Sequence, residues 1–214
     1  MTLPEGVLTA DEVRSTVDSI AAVQDRHGAI AWFPGGDLDP WDHIEAAMAL
    51  DVGGRHAQAR AAYRWLRAEQ RPDGWWPAKY RDGRPVCDFG ETHHSAYVAV
   101  GLWHHFLATG DEAFLAELWP AVHKAADFVV RHQHASGVVP WAVHPETGPD
   151  RVALLTGCAS TYQGLRCAAA IAERLGHTQP DWELAAADLQ IAIAHRPDLF
   201  ADKGRYSMDW YYPV

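Results

Sequence analysis

Gln70-Arg71-Pro72-Asp73-Gly74-Trp75-Trp76 is the stretch on whose reading the fold depends. It closes a run in which Ala61, Ala62, Trp65 and Leu66 recur at helical spacing, and Pro-Asp-Gly is a turn signal that a helix does not continue through. The same order returns in Gln24-Asp25-Arg26-His27-Gly28 with Trp32, and in Gln133-His134-Ala135-Ser136-Gly137 with Trp141. Each copy puts Gln at a helix end, Gly in the turn and Trp beyond it. This reads as a recurrent helix stop, with Gly as a left-handed cap and Trp covering the exposed end. The copies are unevenly spaced, which excludes a regular solenoid array.

Each copy opens a long connection: residues 28–40, 71–91 and 135–159, followed by a last one over 196–214. The connections between them, near 52–54, 109–111 and 176–180, are short. Consecutive antiparallel helices reverse direction at every connection, so the long ones share one end of the bundle. Six of the ten Trp sit in or beside them: Trp32, Trp41, Trp75, Trp76, Trp141 and Trp210.

Caps and period place seven helices. Thr9-Ala10-Asp11-Glu12 is a capping box opening a first helix to about Gln24. A second runs from near Trp41 to Gly53-Gly54, a third from about Arg55 to Gln70, and a fourth from about Thr92 to Ala108. Asp111 caps a fifth to about His134, which Pro120 should kink or divide. Ser160 is read as the cap of a sixth helix ending at Gly176, and a seventh covers about Pro180 to His195. No run of alternating strands is found, so the fold class is all-α.

Composition bounds the rest. The 214 residues are 48% hydrophobic, ample for one core. A formal charge of −10 without a basic stripe argues against nucleic acid or an anionic membrane as partner. No apolar run spans a bilayer and Met1-Thr2-Leu3-Pro4-Glu5 is no signal peptide, so no membrane is expected. Cys87, Cys158 and Cys167 form no CxxC pair and read as reduced core thiols of a cytoplasmic protein. The oligomeric state is unknown from the sequence.

The chain resembles the six-hairpin (α/α)6-barrel glycosidases, glucoamylase-like enzymes among them. Pro40-Trp41-Asp42-His43 with Ile44, Ala47 and Leu50 is similar to their Trp-x-x-Asp segment at the mouth of an inner helix. Leu118-Trp119-Pro120-Ala121-Val122 with Ala125 to Val129 is similar to an outer helix, and Ser136-Gly137-Val138-Val139-Pro140-Trp141 followed by Ser160 to Gly176 to the next turn and inner helix. The glucoamylase pattern has a catalytic Glu just after this turn, where this chain has Ala142-Val143. A weaker resemblance, carried by Gln70 to Trp76, is to the α/α toroids of terpenoid cyclases and prenyltransferases; Asp37-Leu38-Asp39 lacks their full Asp-rich motif. The first resemblance implies an α/α toroid, a six-hairpin barrel of twelve helices. Seven helices make three and a half hairpins, so residues 1–214 are expected to be a single α/α-barrel domain truncated before the closing helices.

The resemblance also implies a glycoside hydrolase acting on an oligo- or polysaccharide, of α-mannan or α-glucan type. Glycoside cleavage needs one protonated carboxyl and one ionised partner. Asp42, with Asp39 and Glu91 behind it, is the candidate acid or base; helix capping is the alternative role of each. The second carboxylate is expected largely beyond Val214. Flat aromatic faces stack on sugar C–H surfaces, and polar side chains fix hydroxyls. Trp41, Trp75, Trp76, Lys79, Tyr80, Asp88, His93, His94, Trp141, Asp209, Trp210 and Tyr211 are therefore the candidate substrate-binding residues, with Trp41, Trp76 and Trp141 expected at one cavity. Adjacent His93 and His94 diverge by about 100° on a helix, so only one is expected to face a common site; no metal or other cofactor is expected. The competing readings are the cyclase-like toroid and a non-catalytic carbohydrate-binding or assembly module.

Overall fold

The computed structural model describes residues 7–202. Seven helices form in the expected order: α1 (Ala10–Val23), α2 (Pro40–Val52), α3 (His56–Glu69), α4 (Thr92–Thr109), α5 (Glu112–Arg131), α6 (Leu155–Arg174) and α7 (Pro180–His195), with a short 3-10 turn at Pro197–Leu199. The capping box closes the start of α1: the Glu12 amide donates to Thr9 Oγ1 at 3.2 Å and the Thr9 amide to Glu12 Oε2 at 2.7 Å. Helices α2, α4 and α6 pack side by side as an inner row, while α3, α5 and α7 pack in sequence behind them. Two rows of helices, one outside the other, form an arc of an α/α toroid.

Two boundaries differ from expectation. Helix α5 runs through Pro120 as one element. Helix α6 starts at Leu155, five residues before Ser160, and Ser160 is buried inside it. Ser160 is therefore not the cap: the turn before it, Gly157 included, is already helical.

Among the described residues the long connections carry six strands of two or three residues, too short to show an alternating period. β1 (Asp37–Leu38), β2 (Tyr80–Arg81) and β3 (Arg84–Pro85) form one antiparallel sheet; β4 (Gly90–Glu91), β5 (Ala142–His144) and β6 (Gly148–Pro149) form a second. Asp37 pairs with Arg81 and Glu91 with Ala142, which ties the first long loop to the second and the second to the third. Those three loops therefore lie at one end.

The repeated Gln-to-Gly stops are three copies of one clamp. Gln24, Gln70 and Gln133 each donate from Nε2 to the carbonyl of their own turn glycine, Gly28, Gly74 and Gly137, at 3.1, 3.1 and 2.8 Å. Each Nε2 also donates across to the next outer helix, to the carbonyls of Gln58, Ala121 and Ala185, all at 2.9 Å. The glycine is the last residue of a tight turn and not the helix cap, which corrects the sequence reading. At Gly74, φ is +110° and a Cβ would come within 2.1 Å of the Lys124 carbonyl, so only glycine allows the approach.

Trp76 packs inside this frame. It is fully buried, and its indole N–H donates to the Leu66 carbonyl at 2.7 Å. At the opposite end from the long loops, the buried Asp51 carboxylate holds His105 Nδ1 at 2.9 Å and His56 Nδ1 at 3.0 Å, joining α2, α3 and α4.

Candidate active site

The starts of the three inner helices surround a cavity of about 420 Å³ at the long-loop end. Asp39, Trp41 and Asp42 come from the cap and first turn of α2; Glu91, His93 and His94 from those of α4; Leu154, Thr156 and Gly157 from those of α6; Trp32, Ala78 and Lys79 from the loops. Helix starts expose unpaired amides and the positive end of the dipole, so polar and acidic side chains collect there.

Asp39 is the cap of α2. Its Oδ1 accepts the Asp42 amide at 2.9 Å and its Oδ2 accepts the Trp32 indole N–H at 2.7 Å. That leaves Asp42 one turn in, with no capping duty. Burial, then the neighbouring Asp39 and Glu45, push the Asp42 carboxyl up from its ordinary 3.8 to about 6. Between pH 3.8 and about 6 the folded protein holds a proton here that the unfolded chain has lost. A second cleft, of about 500 Å³ and lined by Ile20, Val23, Ile30 and Phe33, shares Trp32 and Asp42 with the first. Asp42 thus stands between two open spaces.

Beside Asp42, His43 is structural. Its Nδ1 accepts the Ile30 amide at 3.2 Å, so the other ring nitrogen carries the proton given to the Ala62 carbonyl at 3.1 Å. Burial lowers its pKa to about 4, keeping it neutral. Trp41 stacks flat on Tyr97, with ring centroids 4.0 Å apart and planes 5° from parallel, and meets His93 at 5.4 Å. The platform is rigid.

Glu91 precedes α4 but makes no side-chain cap. Burial raises its pKa from 4.5 to about 7, Asp39 adds to the rise, and Lys79 opposes it. Both His93 and His94 reach Glu91 Oε2, their Nε2 atoms lying 3.3 and 3.7 Å away. The expectation that only one histidine could face the site is corrected: in the first turn both rings swing to the same side, with centroids 4.5 Å apart. Burial holds His94 down to about pKa 3 and lowers His93 as well. The three ligating atoms of Glu91, His93 and His94 fall within 4.8 Å of one another, a spacing a cation could span. Both Nδ1 atoms are nevertheless buried without a partner, whereas metal-bound imidazoles normally donate that N–H to an orienting group. The donor set fits neutral hydrogen-bonding groups better than metal ligands.

Other candidates lie elsewhere. Trp75 and Trp76 are buried in the core, so the expectation that Trp76 lines the cavity beside Trp41 is not met. Tyr80 is buried against Trp65, with ring centroids 5.1 Å apart. Asp88 is exposed and outside the cavity lining. Trp141 packs on Phe89 at 5.6 Å, also outside the lining. Lys79 does reach the cavity, lying 5.0 Å above the Trp32 ring and 3.6 Å from Asp37. Asp209, Trp210 and Tyr211 fall outside the described residues. Residues not foreseen in the site are Trp32, Ala78, Leu154, Thr156 and Gly157. Trp32 could have been found as the aromatic beside an acidic helix start; the last three were hidden by the late start assigned to α6.

No family model matches the chain. It is 50% identical over 209 residues to a protein of Mycolicibacterium hassiacum described as an MMP endo-(1,4)-3-O-methyl-alpha-D-mannosidase; the match covers 98% of this chain and 58% of that protein. Among solved structures, a D-mannose isomerase matches with a TM-score of 0.65 at 12% identity, over 92% of this chain and 55% of its own. An unsaturated glucuronyl hydrolase specific for heparin matches at 0.66 and 14%, over 87% and 56%. The ent-copalyl diphosphate synthase of Streptomyces platensis matches at 0.58 and 20%, over 85% and 32%. These likenesses show the fold, the α/α toroid of the six-hairpin glycosidases. A cyclase shares it, so fold alone does not select a chemistry.

Proposed function

We propose that this chain carries the acid-bearing side of a glycoside hydrolase that cuts an α-(1,4)-linked, 3-O-methylated mannose chain at internal bonds. The observation that carries the reading is Asp42, a carboxyl held up at about 6 between two clefts and free of capping. Half the residues matching those of a described endo-mannosidase along nearly the whole chain supports the substrate class. Protonated Asp42 would give its proton to the glycosidic oxygen as the bond breaks. The two spaces flanking it suit an internal cut, which needs sugars on both sides of the acid. Trp41 offers one sugar a flat face, and Lys79, His93, His94 and Glu91 offer polar groups for its hydroxyls.

The ionised partner that activates water lies, in this reading, outside the described residues, in a further part of the toroid. Both Asp39 oxygens are engaged, and Glu91 tends to keep its proton below about pH 7. The cyclase alternative loses support from the Asp37-Leu38-Asp39 segment: Asp37 is paired with Arg81 at 2.6 Å and Asp39 caps a helix, so neither is free to act as an acid or to hold a diphosphate-bound metal. Among the described residues no helix is long and apolar enough to cross a membrane. The three free cysteines suit a reducing, cytoplasmic compartment.

The test is incubation of the full-length protein with a 3-O-methylated α-(1,4)-mannan and mass analysis of the products. Internal fragments are expected. Binding without cleavage would favour a carbohydrate-binding module, and neither binding nor cleavage would refute the reading.

A further inference from the structure

Three glycines lie within the described helices, and two are required by packing. A Cβ at Gly101 would come within 2.5 Å of Ile44 Cγ2, and one at Gly164 within 2.6 Å of the Ala96 carbonyl. Gly157 is different. Its Cβ would meet nothing closer than 3.6 Å, from His93 Nδ1 and Leu154 Cβ, which is ordinary contact. Its backbone is helical and its φ is not positive, so alanine would fit the conformation and helix propensity would favour it. Neither backbone nor protein packing explains the glycine.

Gly157 does line the cavity, and the space its missing side chain leaves opens there. Leu154 stands beside it, and the lining also takes Ala78 and, from the same end of α6, Thr156. The nearest polar atom, His93 Nδ1, is buried and beyond reach of a ligand. The charged groups of the cavity come from α2, from the start of α4 and from Lys79, not from α6. A hydroxyl placed over Gly157 against Leu154 would trade water for at most the Thr156 hydroxyl, whereas a methyl group would lose nothing.

We propose that the space over Gly157 receives the methyl of a 3-O-methyl group on the sugar in the cavity, so that Gly157, with Leu154 beside it, sets the preference for methylated over unmethylated mannose chains. This rests on the hydrolase reading above. Removing one methyl-sized space from an apolar pocket changes discrimination by roughly 10- to 200-fold.

The experiment compares kcat/KM on methylated and unmethylated α-(1,4)-manno-oligosaccharides of equal length, for the full-length protein, Gly157→Ala and Leu154→Ala, with thermal melts of each. The native protein should prefer the methylated chain. Gly157→Ala should cut that preference roughly 10-fold or more while melting no lower than the native protein, and Leu154→Ala should also reduce it. A native protein inert on both chains would sink the hydrolase reading, and this inference with it. An active native protein whose preference survives both substitutions would overturn the inference alone. So would a Gly157→Ala protein that melts well below native, because the glycine would then be structural.

Discussion

Replacing Asp42 by Asn separates chemistry from architecture at one atom. The amide keeps the shape and cannot donate an acidic proton. Losing a positioned acid costs roughly 10²- to 10⁴-fold in rate, about 3 to 5 kcal/mol of transition-state stabilisation. The structural cost should be near zero, because Asp39 and not Asp42 caps α2. The sign of the pH effect runs the same way. Burial, Asp39 and Glu45 hold the folded carboxyl at about 6 against an ordinary 3.8, so the native protein loses stability as pH rises from 3.8 to about 6. Above that window native Asp42 is a solvent-exposed carboxylate beside two others, and Asp42→Asn removes their repulsion. At pH 7 the variant should therefore melt at or slightly above the native temperature while hydrolysis collapses. The native rate should fall as pH climbs through about 6, since the acid must carry its proton. The assay is initial-rate hydrolysis of a methylmannan between pH 4 and 8, beside thermal melts. If Asp42→Asn keeps more than a tenth of the native rate, or melts several degrees lower, the assignment of acid and cap is refuted.

Asp39→Ala should do the reverse: losing the α2 cap and the Trp32 bond costs roughly 2 kcal/mol, a fall of several degrees in Tm, and removing its charge should move the alkaline limb of the rate profile to lower pH. Gly74→Ala forces a side chain onto the Lys124 carbonyl at positive φ and should cost more than ~4 kcal/mol by denaturant unfolding, whereas Gly35→Ala, with nothing near, should cost about 1 kcal/mol. Asp51→Ala strips the contacts of a buried carboxylate to buried His105 and half-buried His56, far from the cavity, and should cost roughly 3 kcal/mol while leaving KM unchanged. Equal losses at Gly74 and Gly35, or an altered KM at Asp51, would contradict these accounts.

The helices were legible because their signals are local. The Thr9 and Glu12 box, Asp111 before α5, Pro180 at the start of α7 and Gly110 after α4 each act within a turn of themselves, and the helices they mark lie close to where the sequence put them. The shared end of the long loops followed from counting reversals. What escaped was set by distance. Trp75 and Trp76 look like sugar platforms in a loop sequence, but whether an indole faces a cavity or a core depends on the helix opposite, here the Leu66 carbonyl. His93 and His94 were separated by an ideal helical wheel, which ignores how far an imidazole swings about its own bonds. Gly157 read as loop because a glycine looks alike in the sequence whether it is there for the backbone, a neighbour or a ligand.

The Gln clamps have a consequence for how such a protein can change. Each sits at the root of a long loop and secures the two outer helices there through main-chain carbonyls, which exist whatever side chains surround them. The scaffold is thus fastened just before the chain departs into the segment that carries the reactive groups. A loop beyond a clamp can lengthen, shorten or be exchanged without slackening the joint beneath it. Diversification and grafting should be tolerated on the far side of Gly28, Gly74 and Gly137, and punished at the glutamine or glycine itself. The boundary between inherited frame and replaceable chemistry can be drawn at three residues.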